Sequence, residues 1–312
     1  MAKKVTIRGT DLTVNPIGLG TNAVGGQRYY PQITDDAGRE FLRVALDNGV
    51  DFWDTAFTYG PRRSEEIIGE VLEETNKRQN IVLATKAAHI FLEDGVVFDN
   101  SPAFLKQAVD ESLQRLRTDY IDLFYIHYPD KDTPKYEAVG ALKELKDEGK
   151  IRAIGVSNFS MEELEEANRD GYVNVYQGEY NLIERDAEKE FFPYMLENNI
   201  SFVPFFPFAS GLLAGKYTPD MTFPEGDTRV KKPHFQGETF IKHLENVEQL
   251  REIADAKSAE VAHVVLAWYL KQDAIDVVIP GAKRGDQVIS NLGALDVELT
   301  EAEVAQIGRI FA

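Results

Sequence analysis

The sequence predicts a single α/β domain over residues 1–312, built as a closed (β/α)8 TIM barrel. Three observations carry this expectation. Short apolar runs alternate eight times with segments of helical periodicity. The runs are mostly apolar at successive positions, as parallel strands buried on both faces are. Three successive runs end in ionisable residues, Asp54, Lys86 and His127, and barrels of this kind carry their chemistry at the C-terminal strand ends.

The elements follow in order. Residues 5–7 and 12–14, joined by Arg8-Gly9-Thr10-Asp11, form a β-hairpin ahead of the first repeating unit, expected to cap one end. Residues 16–20 are a short buried strand, followed by Gly20-Thr21-Asn22 and the flexible Gly25-Gly26 pair. Thr34 caps a helix with Phe41, Leu42, Ala45 and Leu46 on one face, ended by Gly49. Strand 51–54 and helix 64–72 come next, separated by Gly60-Pro61. Strand 81–86 leads to a helix opened by Ser101 and Pro102, with Leu105, Val109 and Leu116 in its apolar stripe. Strand 121–127 leads to a helix opened by Thr133-Pro134 and closed by Gly149. Strand 151–156 ends in Ser157-Asn158, and Ser160 with Glu163 form a capping box for the next helix. Strand 173–177, helix 187–197 and strand 200–204 complete seven units. Residues 205–240, rich in Pro, Gly and charge, form a long loop over the barrel mouth. Helices at 246–254 and 261–270 precede the eighth strand at 275–279 and helix 284–295, and 298–310 form an extra C-terminal helix. No second domain or linker is apparent.

Composition narrows the function. A hydrophobic content of 43 % supports a large core, and the absence of Cys excludes a disulfide framework and a thiolate metal site. No metal is expected. The Met1-Ala2-Lys3-Lys4 start has no apolar signal core, and no run approaches the roughly 18 apolar residues of a membrane span. A cytoplasmic location is expected. The net charge of −18 disfavours nucleic acid and anionic membranes as partners, so an anionic cofactor needs a local basic cluster or backbone donors.

Asp54, Lys86 and His127 should share one rim with Tyr59, in the loop after strand two. Each has a plainer explanation by itself: a helix cap for Asp54, packing for Tyr59 and a satisfied core histidine for His127. Lys86, after an apolar strand, has no easy route to water. Together they form a chemical set. A phenol with a reference pKa of about 10 is a poor acid near neutrality, and a nearby ammonium lowers that value. Asp54 would hold Lys86 charged and aimed, Tyr59 would donate a proton to a carbonyl oxygen, and His127 would orient that carbonyl.

Asp54-Thr55-Ala56 with Tyr59-Gly60, Lys86, His127, Gly155-Val156-Ser157-Asn158-Phe159, Gln177 and Ile279-Pro280-Gly281 make the chain resemble an aldo-keto reductase over nearly its whole length. Within that superfamily it is most similar to bacterial family 11, especially the NADPH-dependent member encoded with inositol-utilisation genes. The stretches at 18–26, 177–182 and 210–217 carry this finer likeness.

The resemblance implies an oxidoreductase that reduces aldehydes and ketones, with Asp54, Tyr59, Lys86 and His127 as a catalytic tetrad. No Gly-x-Gly-x-x-Gly follows the first strand, so a Rossmann site is not indicated. The resemblance implies instead an NADPH (NADP+) lying extended across the barrel mouth. Gly20, Thr21, Asn22 and Asp54 would border it. Ser157, Asn158 and Gln177 would hold the nicotinamide carboxamide, and Phe205 is a candidate for stacking. Phe206, Pro207, Phe208, Ser210, Gly211, Leu212 and Lys216 would line the pyrophosphate. Gly281, Ala282, Lys283 and Arg284 open the last barrel helix, whose N-terminus attracts phosphate, with Gln287 and Asn291 on a compatible face. Many relatives have Arg where Gln287 stands, so Lys283 and Arg284 would select the 2′-phosphate. Tyr29, Tyr30, Phe57, His89 and Tyr128 would wall the substrate pocket.

The expected partners are a small carbonyl compound and the nicotinamide cofactor, in a monomer or weak homo-oligomer. Two other functions fit the same residues. A regulatory subunit like the potassium-channel β subunits would copurify with a partner and show no turnover. A Schiff-base lyase would be trapped by borohydride on Lys86.

Overall fold

The computed structural model describes residues 4–26, 30, 32–224 and 226–312; Tyr29 lies outside them. Strands β1 (Val5–Thr6) and β2 (Thr13–Val14) pair antiparallel. The main sheet has seven parallel strands. In chain order these are β3 (Leu19–Gly20), β4 (Phe52–Asp54), β5 (Val82–Ala87), β8 (Ile121–Ile126), β9 (Ile151–Ser157), β10 (Val175–Glu179) and β11 (Ser201–Phe205). They neighbour one another in that same order. Connecting helices are α1 (Asp35–Asp47), α2 (Arg63–Thr75), α3 (Pro102–Leu116), α4 (Lys135–Asp147), α5 (Met161–Ala167) and α6 (Phe191–Glu197). Helices α7 (Gly237–Ala256), α8 (Val261–Tyr269), α9 (Gly285–Leu292) and α10 (Glu301–Ile310) follow the sheet.

The expected closure by an eighth strand does not take the form of a ladder. Residues 274–281 join the β3 edge through parallel bridges Ile17–Val278 and Gly20–Gly281, and the β11 edge through a Phe202 N–H bond to the Ala274 carbonyl at 2.8 Å. Pro280 has no N–H to give, and the Asp276 side chain accepts from the Arg8 N–H at 2.9 Å. The result is a curled seven-stranded sheet whose gap is spanned by irregular backbone, not a ring of eight regular strands.

Alternation of side chains divides the core. Phe52, Leu123, Tyr125, Val175 and Val203 point inward, where Ile7, Leu12 and Val14 of the hairpin pack against them. The other face packs beneath the helices, with Trp53, Phe124, Ile154 and Phe202. Gly155 is required here: a Cβ would meet the Tyr125 ring at 2.2 Å.

Local chemistry sets most helix starts. Thr34, Ser101 and Ser160 each accept from a backbone N–H in the first turn, and the Ser160–Glu163 capping box is complete. Helix α6 begins later than residue 187, after a separate 3₁₀ turn at Asp186–Glu188. Pro193 lacks an N–H and is tolerated only in a first turn, which places the start at Phe191. Residues 205–240 contain 3₁₀ turns at Ala209–Ala214, Thr228–Lys231 and Pro233–Phe235, and α7 starts well before residue 246. The sequence reading missed a hairpin, β6 (His89–Leu92) with β7 (Gly95–Phe98), which rises from the end of β5 beside the sheet's C-terminal rim.

Candidate active site

The rim is built around one buried ion pair. Strand β4 ends in Asp54 and β5 presents Lys86 beside it; their side chains are 1 % and 0 % exposed. Lys86 Nζ donates to Asp54 Oδ1, and also to the Thr55 carbonyl at 2.8 Å. The Thr55 N–H bonds to the Ala84 carbonyl (2.8 Å) and the Phe57 N–H to the Lys86 carbonyl (3.0 Å), continuing the ladder past β4 and aiming the Thr55 carbonyl at the ammonium. Gln177 Nε2 donates to Asp54 Oδ2 at 2.9 Å, so the carboxylate is engaged on both oxygens. Burial pushes the Lys86 ammonium below its ordinary value, opposed first by Asp54 and then by Glu65.

Tyr59 stands half-buried over this pair, its ring centroid 5.4 Å from Lys86 Nζ. The turn that places it depends on Gly60, which adopts φ +67°; a Cβ there would fall 1.8 Å from the Gly25 carbonyl oxygen. His127 follows β8, its N–H bonded to the Ala87 carbonyl at 2.9 Å. Its ring lies 6.4 Å from that of Tyr59, at 86°. Burial, the Lys86 charge and His89 hold His127 well below the usual imidazole value, so it is neutral. The four expected tetrad residues are therefore brought together.

Beside them is an aromatic wall. The His89 ring lies 4.9 Å from His127, 5.3 Å from Tyr128 and 4.9 Å from Phe98. Phe98 stacks on Tyr128 at 5.0 Å, and Phe91 lies 5.9 Å from Phe57. Burial lowers the His89 pKa to about 4, so this wall carries no imidazolium near neutrality. Phe91 and Phe98 belong to the missed hairpin, and the Asp94-Gly95 turn signal between two apolar runs could have found them.

The expected carboxamide residues lie next to the pair. Ser157 of β9 is in register with Gln177 of β10. Asn158 takes a left-handed conformation (φ 62°) and donates through Nδ2 to the His127 carbonyl and Ser157 Oγ, each at 3.0 Å.

Beyond β11, Phe206, Ala209, Ser210 and Gly211 all have positive φ. Tyr269 OH donates to the Pro207 carbonyl (2.7 Å), Tyr217 OH to the Ser210 carbonyl (2.8 Å) and Lys232 Nζ to Ser210 Oγ (2.9 Å), which fix this turn. Within the turn the Ala209 and Gly211 N–H groups bond to the Phe206 and Phe208 carbonyls, each at 2.8 Å. Phe205 packs edge-on against Phe206 at 5.3 Å, and Phe208 is packed against the main core. The Leu212 side chain is fully buried with Phe235, Phe240 and Leu244, so a ligand would meet only its backbone. Lys216 is exposed.

At the start of α9, the space beside Gly281 is bounded by Asn22 Oδ1, 3.7 Å from where a Cβ would stand, while Ala282 is buried. Thr21 is tied to β4, its N–H and hydroxyl both donating to the Asp54 carbonyl (3.0 and 2.9 Å), next to Gly20 at the β3 end. Lys283 Nζ sits 4.6 Å from the Tyr30 ring centroid. Burial and then the Arg229 charge lower its pKa. Arg284 pairs with Asp286 at 3.0 Å on the surface. Gln287 Oε1 accepts from the Lys283 N–H at 2.7 Å and so occupies one donor of this helix start; Asn291 is buried a turn further on.

Among the described residues no group of three His, Asp or Glu is arranged to hold a metal ion, and no helix is long and apolar enough to cross a membrane.

Comparison with known proteins agrees with this geometry. Aldo-keto reductase YhdN of Bacillus subtilis is 38 % identical over 91 % of this chain and 86 % of its own length. Aldo-keto reductase yakc [NADP(+)] of Schizosaccharomyces pombe is 37 % identical over 95 % and 88 %. An Escherichia coli protein named NADH-specific methylglyoxal reductase is 33 % identical over 96 % of each chain. Among solved structures, glycerol dehydrogenase AKR11B4 from Gluconobacter oxydans superposes with a TM-score of 0.91 at 34 % identity, covering 98 % of this chain and 94 % of that one. The holo form of aldo-keto reductase AKR11C1 from Bacillus halodurans gives 0.82 at 30 %, covering 99 % and 96 %. The profile of the aldo/keto reductase family matches residues 16–311, and with the barrel-type sheet and these relatives it shows that the chain belongs to the aldo/keto reductase family, with family 11 members among its structural neighbours.

Proposed function

We propose that the chain is an NADPH-dependent reductase of aldehydes and ketones, with Tyr59 as the proton donor. The observation that carries this reading is the fully buried Asp54–Lys86 pair lying beneath the Tyr59 ring and beside a neutral His127. The chain's residues fit an extended nicotinamide dinucleotide: Ser157, Asn158 and Gln177 cluster at the tetrad, a run of left-handed residues follows β11, and α9 opens with Lys283 and Arg284. When bound, that cofactor supplies hydride to the carbonyl carbon.

The protein residues manage the proton and the oxygen. Tyr59 OH gives its proton to the carbonyl oxygen, and the phenolate left behind is stabilised by the Lys86 ammonium. Asp54 keeps that ammonium charged against the cost of burial. His127, being neutral, can donate one N–H to the carbonyl oxygen without competing as an acid. Tyr59, half-exposed, regains its proton from water. Lys86 is buried and already donates to two acceptors, which argues against its acting as a Schiff-base nucleophile.

Relatives whose names state a cofactor divide between NADP(+) and NADH. Lys283 and Arg284 support NADPH here, because a chain of net charge −18 needs local positive charge to hold a third phosphate. The test is a panel of aldehydes and ketones with each reduced cofactor, following cofactor oxidation. Carbonyl-dependent oxidation of NADPH in preference to NADH is expected. No oxidation with any carbonyl compound would refute the reading.

A further inference from the structure

Behind Lys86, on the opposite side of β5, lies a second buried carboxylate that the proposed chemistry does not use. Glu65, in the first turn of α2, is 0 % exposed. Its Oε1 accepts from the Thr85 hydroxyl and its Oε2 from Arg115 Nε, each at 2.6 Å. Thr85 immediately precedes Lys86, so strand alternation turns the two side chains to opposite faces, Lys86 toward the site and Thr85 toward α2. Arg115 also donates to Ser112 Oγ (3.0 Å) and Glu111 (3.3 Å). Its guanidinium lies 5.4 Å from the Phe57 ring centroid, and the Phe57 N–H is bonded to the Lys86 carbonyl. One closed circuit thus runs from Lys86 through Thr85, Glu65, Arg115 and Phe57 back to Lys86.

A buried ion pair is a poor way to join two helices, since apolar side chains of similar volume do so as well or better. α2 and α3 already meet closely at Gly69, where a Cβ would lie 2.4 Å from the Arg115 carbonyl oxygen. A charge kept at this place therefore needs a use beyond packing.

We propose that Glu65 is a positioning residue for the reduction: it anchors β5 at Thr85 and the Phe57 wall through Arg115, and its negative charge supports the Lys86 ammonium from behind. This rests on the reading of Lys86 as the charged partner of Tyr59. Lys86 faces Asp54 from β4, Tyr59 from the following loop, Tyr125 from β8 and His127 just after it, while Gln177 from β10 holds the other oxygen of Asp54. Glu65 faces Thr85 and Arg115, with Glu111 and Arg62 near Arg115 and Phe57. Two carboxylates, Glu65 and Glu111, and two guanidinium groups, Arg115 and Arg62, leave this cluster neutral as a whole, with Glu65 the member bonded to β5. Asp54 is shared with Gln177, so Glu65 is the additional carboxylate whose field raises the Lys86 ammonium against burial.

Removing a negative charge lowers the pKa of every nearby group, and removing a positive charge raises it. The Glu65→Gln and Arg115→Gln variants should therefore move the basic limb of the pH–kcat profile in opposite directions. The limb should fall by about half a pH unit or more in Glu65→Gln and rise by a similar amount in Arg115→Gln. NADPH affinity should be unchanged in both. A role in packing alone would lower stability in both variants and leave the limb in place. Limbs coincident with wild type in both, or moving the same way in both, would overturn the proposal. If Glu65→Gln fails to fold, Arg115→Gln decides alone, since that side chain is 12 % exposed and lies at the margin of the cluster. Tyr59→Phe serves as the control: if it turns over normally, the tetrad reading fails; if it is inactive while both limbs stay put, only the role of Glu65 fails.

Discussion

Replacing Asp54 by Asn removes the counter-charge of an ammonium that has no exposure to water. Breaking a buried pair at one partner costs about 3–5 kcal/mol, because the other charge stays behind uncompensated. The amide also has one acceptor where two donors, Lys86 Nζ and Gln177 Nε2, now find an oxygen each. The sign of the pH dependence follows from Lys86. Burial already holds its folded pKa below the unfolded value, and loss of Asp54 lowers it further. Between the folded value and about 10.4, the unfolded chain binds the extra proton, so stability rises with pH. Asp54→Asn should therefore be destabilised by about 3–5 kcal/mol near neutrality and recover at up to about 1.4 kcal/mol per pH unit above that. Urea unfolding of wild type, Asp54→Asn and Asp54→Asn with Lys86→Met, each at about pH 7 and about pH 9, measures this slope. The double variant should lack the recovery. An equal slope in the single and double variants would show that Lys86 is not the buried charge responsible.

Three further outcomes follow. Lys283→Ala with Arg284→Ala should weaken NADPH by roughly a hundredfold or more and hardly affect NADH, at about 1.5–3 kcal/mol for each of two charge-assisted contacts; equal losses, read by tryptophan quenching, would assign these residues to the pyrophosphate or the fold. His127, held neutral by burial and by Lys86, should show no protonation between about pH 5 and pH 8 in NMR titration of its ring nitrogens; a midpoint near the ordinary imidazole value would contradict its placement. Gly60→Ala should cost at least about 2 kcal/mol, because φ is positive and a Cβ would overlap the Gly25 carbonyl; a variant as stable as wild type in urea would mean the Tyr59 turn is built differently.

Much of this was legible in the sequence because strand ends are marked by composition. Asp54, Lys86 and His127 each terminate an apolar run, and parallel strands place their ends on one rim. Capping was equally readable at Thr34, Ser101 and Ser160, where the signal is local. The β6–β7 hairpin was missed because its apolar side chains at Phe91, Leu92, Val96 and Val97 remain exposed, and periodicity reports burial more readily than pairing. The eighth strand looked regular because 275–279 is mostly apolar, but a ladder depends on N–H groups, and Pro280 has none to give after the bridge at Val278. Glu65 lies only one residue past Ser64 in a helix already recognised, yet nothing local shows that a Glu at this place is buried against Thr85 and Arg115.

The central claim is that Tyr59, resting on the Asp54–Lys86 pair, donates the proton that accompanies hydride transfer. The most direct test is single-turnover stopped-flow of NADPH oxidation by Tyr59→Phe with an aldehyde that the wild type reduces. The account predicts a rate lower by about two to four orders of magnitude, with NADPH binding nearly unchanged because the phenol does not reach the adenosine end. Hydride transfer at close to the wild-type rate would contradict it.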